Sequence, residues 1–166
     1  MHMQMSALAA TWFVPFAIAI GIWVSWSDMK FMKIPNQSVL ALAAVFILVG
    51  PLVLPFDSYL WHLAAIPAVL AVGFMLNVIR AVGAGDAKFA AAMAPFFALG
   101  DAVEIMFLSC AILLAAFTTH RVMGLVPAVR RATTDWESWE RRDFPMGFAL
   151  SGILIVYLLL ASHYGI

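Results

Sequence analysis

Apolar runs of about 20 residues, separated by short charged or proline-bearing stretches, constrain this chain more than any other feature. A helix of that length crosses the ~30 Å hydrocarbon layer of a bilayer. The 166 residues are 65% hydrophobic and 11% charged, and the mean hydropathy is +1.01. Soluble chains run near half apolar and a quarter charged, so a soluble domain of this length has no interior large enough for such a composition. A closed barrel is the other way to span lipid, but it needs ~10-residue alternating strands, and these runs are continuously apolar. The sequence therefore predicts an all-α polytopic membrane protein, with 1–166 forming a single transmembrane domain.

Six spans are expected, at about 7–26, 37–54, 59–79, 83–100, 102–119 and 144–162. The first carries Trp12, Trp23 and Trp26 near its ends, as interfacial anchors do, and stops at Ser27-Asp28-Met29-Lys30. It lacks a basic leader region and reads as a retained helix. Met1 to Met5 reads as an alternative start, and nothing is drawn from it. The fourth span is the difficult one. Only 12 uncharged residues, Phe89 to Gly100, separate Lys88 from Asp101, and a helix of that length covers ~18 Å. The span closes only if it starts near 81–85 and carries Asp86 in its first turns, at or just inside the membrane boundary.

Basic residues orient the spans. The stretches 27–37, 80–88 and 120–143 contain Lys30, Lys33, Arg80, Lys88, Arg121, Arg130, Arg131, Arg141 and Arg142, which are all 9 of the Lys and Arg residues. The intervening loops hold only Asp57, Asp101 and Glu104, expected as outer-interface charges. Loops 27–36, 80–86 and 120–143 are thus cytoplasmic, and both termini lie on the opposite side. Segment 120–143, with Trp136 and Trp139 among charges, suits an interfacial helix on the cytoplasmic leaflet. Its acids, Asp135, Glu137, Glu140 and Asp143, read as a solvated face. Asp28 and Asp86 fall in one plane at the cytoplasmic boundary.

Two carboxylates held close together do not both ionise at neutral pH. One takes a proton from a water held between them while the other polarises a peptide carbonyl, giving acid–base peptide hydrolysis without a metal or covalent intermediate. Gly83 and Gly85, beside Asp86, permit backbone conformations and a close substrate approach that side chains block. Other chemistries find less support. Cys110, the single cysteine, excludes an internal disulfide and reads as a small buried hydrophobe. His62 and His163 lie toward the outer side. His120, on the cytoplasmic side, has no serine partner and reads as interfacial. Metal-ligand spacings, a full phosphate-binding loop and a dinucleotide fingerprint are absent. No cofactor, metal or nucleic-acid partner is expected.

Three blocks carry a resemblance to a known family. Asp28 is followed by Lys30, Lys33 and Ile34-Pro35-Asn36. Gly83-Ala84-Gly85-Asp86-Ala87-Lys88 follows, and Phe144-Pro145-Met146-Gly147-Phe148-Ala149-Leu150 opens the last span. In this order, within six spans, the chain resembles the prepilin peptidases, membrane aspartic proteases of the GxGD type. The resemblance implies a peptidase of the bacterial inner membrane with Asp28 and Asp86 as its catalytic aspartates and Gly83 and Gly85 as the motif glycines. Its substrate would be a type IV prepilin or pseudopilin, cut at the cytoplasmic end of its hydrophobic helix. Larger members bear paired cysteines in an N-terminal region that methylates the trimmed pilin. This chain starts with a span, so it resembles the short, peptidase-only members of tight-adherence (Flp-type) pilus or archaeal preflagellin systems, and no methyltransferase activity is expected. The family's substrates carry an acidic residue shortly after the cleavage site, for which Lys30, Lys33 and Lys88 are the candidate partners. Two other classes stay open on sequence: a small proton- or ion-coupled transporter, disfavoured by the lack of a mid-membrane acid or inverted repeat, and a non-catalytic membrane assembly factor.

Overall fold

The computed structural model describes residues 2–166, and its elements are helical. Helix α1 covers Ala7–Phe31, α2 Asn36–Val53, α3 Phe56–Val78, α4 Ala84–Met93, α5 Ala102–Leu125, α6 Pro127–Ala132 and α7 Met146–Tyr164. Short 3-10 turns lie at Ala94–Phe96, Leu99–Asp101 and Glu137–Trp139. Five stretches are long and apolar enough to cross a membrane: Ala7–Phe31, Asn36–Val53, Phe56–Val78, Leu99–Leu125 and Met146–Tyr164.

The long helices α1 and α7 pack along each other at the centre. Small residues make this possible, since close backbone approach replaces the hydrophobic drive that lipid removes. Ala9, Ala10 and Ala17 on α1 and Ala149 and Ala161 on α7 are buried in this way. Helix α2 lies against α1, α5 against α7, and α3 against α4. Helix α4 also touches α2 and α7, so the short helix sits inside an arc whose ends are α3 and α5. An aromatic cluster anchors its far end. Phe96 is fully buried and meets Phe13 edge-on at 4.9 Å and Phe46 at 5.3 Å.

Several boundaries differ from expectation for identifiable reasons. The first span continues to Phe31, so Asp28 stands in its last turns and not in a loop. It ends where Met32 adopts a left-handed conformation (φ 51°) and donates its N–H to Asp28 O at 2.9 Å. Pro35 follows and keeps Ile34 out of the helical region. The fifth helix runs on to Leu125, and 120–143 is not one interfacial helix. Pro127 displaces Val126 to an extended conformation (ψ 112°) and leaves only the six-residue α6 behind it. Cys110 is exposed on α5 and not buried.

The largest departure is the fourth pass. It is not a continuous helix over 83–100: α4 stops at Met93, because Pro95 has no N–H to continue the ladder. The chain nevertheless runs from one end of the bundle, where Asp86, Asp28 and Gly147 lie, to the other, where Asp101 meets the start of α1. Irregular backbone packed inside a bundle survives only if its polar groups find partners. They do. His62 Nδ1 lies 2.8 Å from Pro95 O, an acceptor, so Nδ1 carries the proton. Ala98 N–H donates to Tyr157 Oη at 3.0 Å, and that hydroxyl donates to Asp101 Oδ2 at 2.7 Å. Asp101 also accepts the Gln4 N–H at 2.6 Å and the Met5 N–H at 3.3 Å.

Asp101 is thus 1% exposed and is the hub of a buried network, not an interface charge as expected. Asp57 remains exposed and Glu104 half-buried. The same network ties down the N-terminus, where Met3 and Met5 are buried. Met3 N–H donates to Tyr164 O and Ala7 N–H to Ile166 O, each at 3.0 Å, so both termini share one end of the bundle.

Candidate active site

Asp28 reaches the opposite end from the last turns of α1 and is 5% exposed. Its Oδ2 accepts the backbone N–H of Gly147 at 2.7 Å. Gly147 is in the first turn of α7, where helical N–H groups have no partner within the helix and readily serve an anion. The approach is close. A Cβ at position 147 would stand 3.0 Å from Asp28 Oδ2, 3.1 Å from Asp28 Cβ and 3.1 Å from Ile34 Cδ1. The Ile34-Pro35 and Pro145-Met146-Gly147 blocks therefore meet around this carboxylate.

Asp86 is in the first turn of α4, three residues after Gly83 at the helix N-cap. The Gly83 backbone is hydrogen-bonded to its carboxylate, the return bond of a capping box. A Cβ at Gly83 would lie 2.6 Å from Asp86 Oδ2. Gly83 and Gly85 both have negative φ, so the conformational freedom expected of them is unused. What Gly83 supplies is room for the carboxylate. At Gly85 a Cβ would make an ordinary 3.5 Å contact with Ile34, and its role is confined to leaving the cavity wall bare. Below Asp86, a Cβ at Gly73 of α3 would stand 2.9 Å from Ala87 Cβ, so this glycine sets how closely α4 approaches α3.

Both carboxylates line one cavity of about 710 Å³. Helix α4 is not among the five stretches that span by length and composition, and Asp86 is half-buried at its open end.

The cavity rim is basic. Lys33 and Lys88 line it, together with Arg80 and Arg141. Lys88 Nζ donates to Asn36 Oδ1 at 3.3 Å. Lys30 is not in the lining. It pairs with Asp135 at 2.6 Å, holding that carboxyl below its usual range chiefly by hydrogen bonding, and sits 5.5 Å from Trp26 and 5.4 Å from Phe31 ring centres. Arg80 adopts a left-handed conformation (φ 60°) in a turn closed by Asn77 Nδ2 donating to Val82 O at 2.9 Å. His120, expected at the interface, is 3% exposed and stacks on Trp139 at 4.6 Å.

Four contributors to this site had no assigned role on sequence: Gly147, Gly73, Arg80 and Arg141. Gly147 was visible as part of a block but gave no sign that its N–H meets Asp28. Gly73 is one glycine within an apolar run, and nothing in its neighbours marks it. Among the described residues, no group of three or more His, Cys, Asp or Glu side chains is placed to hold a metal ion.

The model of the type IV leader peptidase family matches residues 15–119, a stretch that includes Asp28 and Asp86. The chain belongs to that family. No curated protein and no solved structure matches it. Membership implies a leader peptidase, and the match runs from within α1 to most of α5, a stretch that includes the elements carrying the two aspartates. The Pro145-Met146-Gly147 block lies outside the matched residues, although it supplies the N–H that Asp28 accepts.

Proposed function

We propose that this leader peptidase is an aspartic endopeptidase that removes the leader of a type IV prepilin or pseudopilin, with Asp28 and Asp86 as its catalytic pair. The observation that carries the proposal is the convergence of these two carboxylates, from the end of α1 and the start of α4, on one solvent-open cavity. Asp28, which accepts the Gly147 N–H, a bond that favours an ionised carboxylate, is assigned the base, and Asp86, in the first turn of α4, the proton-holding role. Asp28 takes a proton from water as the water oxygen bonds to the scissile carbonyl carbon. Asp86 passes its proton to the carbonyl oxygen. The tetrahedral diol collapses as the proton now on Asp28 moves to the leaving nitrogen and the C–N bond breaks. The products are a carboxyl-terminated leader and a pilin with a free amine, and the second diol proton returns to Asp86.

The distribution of Lys and Arg supports a cytoplasmic position for this cavity in the inner membrane, with six passes and both termini outside. The route of the chain between Asp86 and Asp101 supports counting the broken fourth segment as a pass. The substrate's apolar helix would lie in the bilayer beside the protein, with its cleavage site at the cavity. Lys33 and Lys88 on the cavity rim are the better placed of the expected partners for an acidic residue near the cut. The test is leader removal from a prepilin in reconstituted membranes, followed on a gel. Asp28→Asn and Asp86→Asn, nearly isosteric, should each lower the rate by at least ~10³-fold, on the scale of removing one member of an acid–base machinery. Full cleavage by either variant would refute the pair.

A further inference from the structure

We propose that a small pocket beside α6 binds the headgroup of an anionic phospholipid. The pocket, about 230 Å³, is lined by Arg130, Arg131, Thr134, Trp136, Trp139 and Glu140, and lies apart from the aspartate cavity. Both arginines are in the last turn of α6. Neither has a carboxylate within ion-pair distance, for among the described residues the two ion pairs are Lys30–Asp135 and Arg141–Glu137. Two guanidinium groups on successive residues, neither held in an ion pair, are suited to phosphate oxygens.

The rest of the pocket fits a lipid and not merely an ion. Trp136 and Trp139 stack at 6.0 Å and 7° between planes, and Trp139 Nε1 donates to Thr133 Oγ1 at 2.9 Å, which fixes the wall. The Arg130 guanidinium lies 6.0 Å from the Trp139 ring centre. Indole faces of this kind belong to the headgroup level of a bilayer. Just before α6, at the end of a helix long enough to span, Leu125 is 82% exposed and Val126 37% exposed, an apolar flank for the acyl chains. Two cations face one carboxylate, Glu140, so the pocket favours a headgroup of net negative charge. Glu140 then serves as acceptor for headgroup hydroxyls, as in phosphatidylglycerol.

The test is native mass spectrometry of the detergent-purified full chain after delipidation. It is incubated in parallel with phosphatidylglycerol, phosphatidylethanolamine or inorganic phosphate at equal concentration. The expected result is selective retention of phosphatidylglycerol, reduced about tenfold or more in Arg130→Gln/Arg131→Gln and restored in Arg130→Lys/Arg131→Lys. The thermal midpoint of each variant without lipid confirms that it is folded. Equal retention of phosphatidylethanolamine, or displacement of the lipid by millimolar phosphate, would overturn the assignment. So would retention unchanged in the folded glutamine variant. No cleavage is measured, so failure here would leave the peptidase reading untouched, and failure there would leave this one.

Discussion

Gly147→Ala isolates the contact on which the proposed base, Asp28, depends. The added methyl would sit 3.0 Å from Asp28 Oδ2 and 3.1 Å from both Asp28 Cβ and Ile34 Cδ1, so the carboxylate or the start of α7 must yield by several tenths of an ångström. Either movement lengthens the 2.7 Å bond from Gly147 N–H. A hydrogen bond to a charged group contributes about 1.5–3 kcal/mol, and each ~1.4 kcal/mol is tenfold in rate, so cleavage should slow by about 10- to 100-fold. Stability should change far less. Alanine gains ~1 kcal/mol over glycine in a helix, which offsets much of the ~1–3 kcal/mol that overpacking costs. The assay is the initial rate of leader removal in proteoliposomes, paired with a thermal midpoint in detergent. Adding Ile34→Val deletes the Cδ1 methyl and relieves one of the three contacts, so the double variant should regain stability but not rate. A Gly147→Ala enzyme that cleaves at the wild-type rate would refute the claim that this N–H positions Asp28.

Three further outcomes follow from the same geometry. If Asp86 is the proton-holding member, the pH profile of kcat/KM should show an alkaline limb. The sign is set by the loss of its proton as pH rises, and a rate that stays flat with rising pH would remove the acid role. Asp101→Ala leaves the Gln4 and Met5 N–H groups and the Tyr157 hydroxyl without their acceptor, at about 1–3 kcal/mol for each buried orphan. The thermal midpoint should therefore fall by many degrees, and an unchanged midpoint would show that the network contributes nothing. Charge reversal at Lys33 or Lys88, on the cavity rim, should raise KM for a prepilin with an acid after the cut, by an amount that shrinks when that acid is replaced by glutamine. Lys30→Ala, which opens the pair with Asp135 and the contacts with the Trp26 and Phe31 rings, should leave KM within about twofold, and a large rise there would return Lys30 to the substrate site.

What the sequence made legible was whatever depends on polarity along the chain, and what it hid depends on closure in space. Apolar run length identified the five helices long enough to span, and the short interval between Lys88 and Asp101 already required Asp86 to ride on the start of a helix. The same arithmetic could not show how a segment too short to cross would be completed. The answer involves residues remote from it: His62 from α3, Tyr157 from α7 and the backbone of Gln4 and Met5 take up polar groups of the broken segment and of its terminal aspartate. Asp101 was misjudged for that reason. In a chain with nine acids, an aspartate beside a glycine at the end of an apolar run looks like solvent-facing punctuation, and only the partners show that it is structural. The converse holds for Asp28 and Asp86. Their shared plane could be read from the charged loops, but their common cavity depends on Gly147 and Gly73, residues defined by the absence of a side chain. Breaking α4 after Met93 and holding its far end through Pro95, Ala98 and Asp101 leaves the first turn, with Asp86, held chiefly by packing on α3 and by Gly83. The carboxylate proposed to meet both water and a peptide is thus carried on the shortest and least continuous element of the arc, and the network at the opposite end gives that element a fixed footing.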